Sequence, residues 1–144
     1  MKCYTIGYGN RGIDDFISIL IENKITHLVD IRRYPQSTFK VYDKESLEVL
    51  FPKNRILYSH CDGVGGMREP TYIEYMRTEP FKASFAKLMA HIKKVNDEGG
   101  RIVLMCAEKS PKGCHREHLS IKLEENDVEV IHLIDRGQTS LFSF

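Results

Sequence analysis

Short apolar runs alternate with longer amphipathic ones along this chain, and the two periods predict different elements. Cys3 to Tyr8 (CYTIGY), Thr26 to Ile31 (THLVDI), Arg55 to His60 (RILYSH), Ile102 to Cys106 (IVLMC) and Val128 to Ile134 (VEVIHLI) are brief, β-branched or aromatic, and bounded by turn residues. They read as five strands. Between them, Ile13, Phe16, Ile17, Leu20 and Ile21 recur with a helical period, with Asp14 and Asp15 in the first turn, where the helix dipole favours them. A longer helix follows the cap and first turn Thr78-Glu79-Pro80. Its buried stripe is Phe81, Phe85, Leu88, Met89, Ile92 and Val95, and Gly99-Gly100 ends it. Lys82, Lys87, Lys93 and Lys94 then form a solvated face.

Shorter helices are predicted in three places. Asp43 caps one through Glu45, Leu47, Leu50 and Phe51, broken by Pro52; Glu69-Pro70 starts another carrying Tyr72, Ile73 and Met76; a third follows Cys114. Strands alternating with helices define an α/β domain with a mostly parallel, three-layered sheet of about five strands. The 144 residues fit one domain, with no linker, repeat or low-complexity stretch. The tail, with Leu141, Phe142 and Phe144, is expected to dock back on it.

Composition narrows the class without naming it. Apolar residues make up 42% and charged residues 28%, an ordinary balance for a globular domain, and no apolar run approaches the roughly 20 residues of a membrane span. The net charge of +1 gives no global reason to expect nucleic acid or an anionic membrane, so any such contact would need a local basic patch. Cys3, Cys61, Cys106 and Cys114 are scattered, which argues against a disulfide framework, and a cytosolic location is the expectation.

The chemistry gathers at the strand ends. In a parallel sheet these share one edge, where ligands of open α/β folds bind. The first strand ends in Gly7, Tyr8, Gly9, Asn10 and Arg11, the second in Asp30, Arg32 and Arg33, and the third in His60. A glycine-rich loop, Gly63-Val64-Gly65-Gly66, comes next and suits a lid or ligand-contacting segment; Cys106 and Glu108 close the fourth strand and Asp135-Arg136 the fifth. Gly7 and Gly9 lack the third glycine of a dinucleotide fingerprint. From Arg101 to Leu123 the chain reads RIVLMCAEKSPKGCHREHLSIKL, a buried strand, a reactive loop and a helix start, a common way to build an anion site.

Each residue also has a plainer role. Asp30 can cap a loop or pair with arginine instead of acting as a base. Arg32 and Arg33 can neutralise Asp30 and Glu108, although guanidinium forks equally suit phosphate. Cys106 reads first as a small buried hydrophobe. Cys114, at a helix start beside His115 and Arg116, meets the conditions for a lowered thiol pKa, but the Cys-x5-Arg loop of cysteine phosphatases is absent. Cys114, His115 and His118 with a distant ligand could hold a metal, although Cys106 and Cys114 lie too far apart for the usual zinc pairing. His27, His91 and His132 read as surface or strand-packing histidines.

Four blocks, TIGYGNR, LVDIRRYPQS, YSHCDGVGG and LMCAEKSPKGCHR, resemble, in that order, the family known as domain of unknown function 488. The last is the most specific. Val64-Gly65-Gly66 stands where the family usually has Leu-Gly-Gly. The resemblance implies a Rossmann-like α/β domain and a shared polar site comprising Asp30, Arg32, His60, Gly65, Gly66, Cys106, Glu108, Cys114, His115 and Arg116. It leaves the reaction open.

The expectation is an enzyme acting on a phosphorylated or nucleotide-like ligand, free or within nucleic acid. Arg32, Arg33, Arg116 and the helix N-terminus would hold the anion. Glu108 or Asp30 would serve as acid or base, His60 and His115 would carry protons, and Cys114 is an optional nucleophile. The alternatives are a non-catalytic nucleotide or nucleic-acid binding module, and a metal or thiol-redox protein. No cofactor, oligomeric state or pathway can be read from the residues.

Overall fold

The computed structural model describes residues 1–69, 71–110 and 115–135, and residues 139–141 by their backbone. Five parallel strands form the sheet: β1 (Lys2–Gly7), β2 (His27–Asp30), β3 (Leu57–His60), β4 (Ile102–Cys106) and β5 (Glu129–Leu133). A short antiparallel strand, β6 (Thr139–Leu141), adds to β5, so the spatial order is β3-β2-β4-β1-β5-β6. This backbone pairing is how the tail returns to the domain. Phe142 and Phe144 lie outside the described residues.

Helices cover both faces. On one side α1 (Ile13–Glu22) and α2 (Lys44–Lys53) bury Phe16, Ile19, Leu20, Leu47 and Phe51 against Ile6, Leu28, Val103 and Met105. On the other, α4 (Glu79–Asp97) and α5 (His115–Glu125) bury Phe81, Leu88, Ile92, Leu119 and Leu123 against Val29, Leu104, Cys106 and Val130. Alternate residues of a strand point to opposite faces, so one short apolar run feeds both cores. That is why all five residues of β4, the strand between β2 and β1, are buried. The chain is thus the three-layered α/β domain that its pattern predicts.

Local differences have physical causes. Pro52 does not stop α2 before it; it sits in the last turn, and the helix ends one residue later at Lys53. Asp43 takes the N-cap position of α2, but its carboxylate accepts from the Ser37 amide at 2.7 Å and makes no side-chain cap bond. Thr71 caps α3 (Tyr72–Tyr75), which starts after the expected Glu69. The α4 cap is as expected, with Thr78 Oγ1 accepting from the Phe81 amide. In α1, Ile19 is buried and Ile21 is turned half out to water.

One close approach shapes the carboxyl edge of the sheet. Tyr8 and Gly9 donate their amides to the carbonyls of Cys106 and Ala107, so the chain leaving β4 crosses directly over the end of β1. A Cβ on Gly7 would sit 1.6 Å from the Glu108 carbonyl oxygen, within covalent distance. Only a bare α-carbon lets the two segments cross. Gly7→Ala is therefore expected to destabilise the domain by roughly 3 kcal/mol or more, the range of severe steric substitutions, measured by urea unfolding.

Candidate functional site

Four loops leaving the carboxyl ends of the strands, with the first residue of α5, enclose a cavity of about 430 Å³. Tyr8 comes from the end of β1, and Arg32, Arg33, Tyr34 and Gln36 from the loop after β2. Gly66, Met67 and Arg68 follow β3, Tyr72 belongs to α3, Ala107 and Glu108 follow β4, and His115 opens α5. The volume lies toward the lower end of the ~300–1,000 Å³ of small-molecule sites, at the edge where α/β folds bind ligands.

Arg32 is held from beneath. Asp30, wholly buried at the end of β2, accepts from Arg32 Nε at 2.9 Å and Nη2 at 2.7 Å, from the Arg32 amide at 3.1 Å, and from the Tyr58 hydroxyl at 2.5 Å. Burial alone would lower the pKa of the Arg32 guanidinium. Hydrogen bonding to Asp30 and its charge, with Tyr8 adding to both, outweigh this and hold it above the usual range. Burial and the bond to Asp30 likewise raise the Tyr58 phenol. A carboxylate with four donors and no exposure is an anchor, so Asp30 sits behind the cavity wall and has no surface for acid–base work there.

Arg33 and Arg68 are held differently. Arg33 Nη1 donates to the Met67 carbonyl at 2.7 Å, and its guanidinium lies over the Tyr34 ring at 5.2 Å. Arg68 donates through Nε to the Gly65 carbonyl at 3.1 Å and through Nη2 to the Asp62 carbonyl, and stacks on Tyr75 at 4.2 Å. Neither is ion-paired with a carboxylate among the described residues. Carbonyls orient a guanidinium without cancelling its charge, so both cations act on the cavity.

His115 is the neutral member. Burial, then the charges of Arg116 and Arg68, push its pKa down to about 4. Its ring meets Tyr72 edge-on at 5.6 Å and rests on Gly66, where a Cβ would come within 2.5 Å of Nδ1. Glu108 is the exposed carboxylate among the described lining residues.

Of the expected site residues, Arg32, Arg33, Gly66, Glu108 and His115 line this cavity. Others lie elsewhere. His60 Nε2 contacts the Arg32 carbonyl at 2.6 Å, and the residue borders a separate hollow with Cys61, Lys87 and His91. Gly65 packs on the Ile31 carbonyl and the neighbouring turn is buried at Val64, so this loop is a packed wall and not a loose lid. Gly7 and Gly9 accommodate the crossing chain at Glu108 and Lys109. Asn10 is exposed away from the lining. Arg11 is buried and donates to the Gly7 carbonyl at 3.1 Å and to Asp135 at 3.0 Å. Cys106 belongs to the core beneath α4 and α5.

Arg116, expected to hold an anion, is 1% exposed and donates Nη2 to the carbonyls of Glu108 and Lys109, both at 3.0 Å. It clamps the loop that presents Glu108. Its Nη1 reaches Thr5 Oγ1 at 3.4 Å, and Thr5 in turn bonds Nδ1 of His132, a buried strand residue whose pKa burial and Arg116 lower to about 4. Cys114 and Arg136 lie outside the described residues. Among the described residues no three His, Cys, Asp or Glu side chains gather to hold a metal, and no helix is long and apolar enough to cross a membrane.

Sequence reasoning missed Tyr34, Gln36, Met67, Arg68 and Tyr72 as lining residues. Arg68 had one available signal, a cation two residues after a glycine pair that itself follows a strand end.

A three-layered, Rossmann-like α/β domain with an arginine- and tyrosine-lined cavity at the carboxyl edge of its sheet is the class that fold and geometry define. The chain belongs to the family described as "Domain of unknown function DUF488", whose model matches residues 12–123. The TIGYGNR block falls just before that span. No curated protein and no solved structure matches the chain.

Two outcomes follow from these contacts. Asp30→Ala leaves Arg32 buried without its counter-charge and is expected to cost about 3–5 kcal/mol, whereas Tyr58→Phe removes one of four bonds and costs about 1–2 kcal/mol, both read by chemical unfolding. His132 and His115 have folded-state pKa values near 4 against an ordinary 6.5, so the unfolded chain binds more protons between those values. Their contribution is full above pH 6.5 and is lost as pH falls toward 4. In His132→Gln, stability measured from pH 7.5 to 4 should fall less steeply, by an amount on the order of 3 kcal/mol.

Proposed function

We propose that this protein is an enzyme that binds a phosphate-bearing, nucleotide-like ligand, free or within nucleic acid, in the cavity at the carboxyl edge of its sheet. The observation carrying this reading is the state of Arg33 and Arg68. Both guanidiniums line the cavity, are fixed by backbone carbonyls, and have no carboxylate partner among the described residues. An oriented, uncompensated guanidinium fork complements phosphate oxygens and stabilises negative charge that develops on them during reaction.

Glu108 supplies the acid–base group. It is exposed into the same cavity, on a loop clamped by Arg116 and by the crossing at Gly7. In a transfer step it would accept the proton of an attacking hydroxyl or return one to a leaving oxygen. His115, kept neutral between Arg68 and Arg116, is a poor proton acceptor and serves as an uncharged wall of the site.

Thermal shift with a nucleotide panel tests binding first: a ligand at 100 times its Kd adds about 2.7 kcal/mol of stability. Arg33→Ala and Arg68→Ala should each weaken affinity by about tenfold or more and reduce its salt dependence. Glu108→Gln should leave affinity within a few-fold and lower turnover by about 10²–10⁴. Unchanged turnover in Glu108→Gln, with binding lost in the arginine variants, would make the protein a binding module. Unchanged binding in both arginine variants would remove the phosphate reading.

A further inference from the structure

The charge inventory of the cavity limits how many phosphates it can take. Arg32, Arg33 and Arg68 in the lining and Arg116 behind His115 supply four positive charges, and Glu108 in the cavity and Asp30 beneath it supply two negative ones. His115 contributes none near neutral pH. Two net positive charges remain, and the lining guanidiniums of Arg33 and Arg68 have no described carboxylate partner. A phosphodiester has one negative charge and a terminal monophosphate about 1.5 to 2. Every further phosphate adds charge that no other cation among the described lining residues meets.

The mouth of the same cavity offers surface of a second kind. Of its three tyrosines, Tyr8 packs on Tyr42 at 4.3 Å, and Tyr72 packs on His115 and Phe81 with its hydroxyl bonded to the Val64 carbonyl. Tyr34 is 55% exposed and has the Arg33 guanidinium over its ring. Beside Arg68 stands Met67, 75% exposed at φ +59°. The other non-glycine residues with positive φ, Lys24, Arg55 and Asp127, each follow the end of a helix, where that conformation is common. Met67 follows no such helix end, and Arg33 holds its carbonyl. Strained backbone held by a specific contact at a cavity mouth marks a position the fold maintains at a cost. Here it presents a polarizable apolar side chain to the opening.

We propose that the cavity binds one nucleotide unit carrying a single phosphate, with its base stacked on Tyr34 and covered by Met67 and its phosphate held by Arg33 and Arg68. This rests on the phosphate reading above and narrows it to a nucleoside monophosphate or one phosphodiester-linked residue of a strand. A nucleoside triphosphate without a bound divalent cation is excluded as the preferred ligand.

The test is calorimetric titration of the full chain with the four ribonucleoside monophosphates, ribose 5-phosphate, adenosine, a four-nucleotide single-stranded DNA, and ATP with and without Mg²⁺. At least one nucleotide or the tetranucleotide should bind about tenfold or more tighter than ribose 5-phosphate and than adenosine, with ATP no tighter than AMP. Tighter binding of the tetranucleotide assigns the unit to a nucleic-acid strand, and tighter binding of a monophosphate to a free nucleotide; both support the proposal. Tyr34→Ala should abolish the gap between nucleotide and ribose 5-phosphate, because stacking of a base on an aromatic ring is worth roughly tenfold or more, while Tyr34→Phe keeps it. Ribose 5-phosphate binding as well as every nucleotide, ATP binding more than tenfold tighter than AMP, or a gap that survives Tyr34→Ala would each overturn the proposal while leaving the phosphate reading in place. Failure of every phosphate compound to bind would overturn both.

Discussion

The Asp30–Arg32 pair is the constraint on which the carboxyl edge of the sheet and its cavity depend. A carboxylate with no solvent exposure must find donors or lose its charge, and here every donor lies within two residues or on the adjacent strand. Satisfying it folds the Arg32 side chain back on the strand end and fixes the turn that follows. His60 contacts the Arg32 carbonyl and Cys61 donates to the Asp30 carbonyl, so the neighbouring strand closes on the same turn. With the turn fixed on these sides, Arg33 and Tyr34 have one direction left, outward into the cavity.

This arrangement divides the arginines by task. Arg11, Arg32 and Arg116 are all at least 92% buried, and the donors each has bonded go to the chain: to Gly7 and Asp135, to Asp30, and to the carbonyls of Glu108 and Lys109. They set the positions of three loops. Arg33 and Arg68 are less buried and keep donors and charge for the cavity. A guanidinium serves either purpose well, because its five donors can meet carbonyls or anions in the same plane. Which purpose it serves depends on what lies opposite, and that is a property of the fold.

For this reason the architecture was legible in the sequence and the site only in outline. Strands buried on both faces must be apolar without alternation, so IVLMC announces a central strand, and Thr78-Glu79-Pro80 announces a helix start. The parallel sheet then brings the polar strand ends to one edge, which located the cavity. Side-chain direction at a strand end is not periodic, however. Asp30 faces inward and Arg33 outward three residues on, with nothing in the local pattern to separate them. Arg68 and Tyr72 were harder still, because they reach the cavity only through the packing of Gly65 on Ile31 and of Gly66 on His115. Glycines that read as a flexible lid are the positions at which backbone meets backbone or ring.

The same close packing connects the chemistry of the site to its stability. His115 sits on Gly66, against Tyr72, and between the charges of Arg68 and Arg116, a setting that disfavours a third cation. An imidazole there must shed its proton to fold, which costs acid stability and in exchange leaves the positive field of the cavity to fixed guanidiniums. Guanidinium charge is in general fixed, whereas a charged histidine would vary with pH. The positive charge facing the cavity therefore does not depend on this imidazole above the range where the domain itself begins to weaken, and the same burial that neutralises His115 contributes to that lower limit.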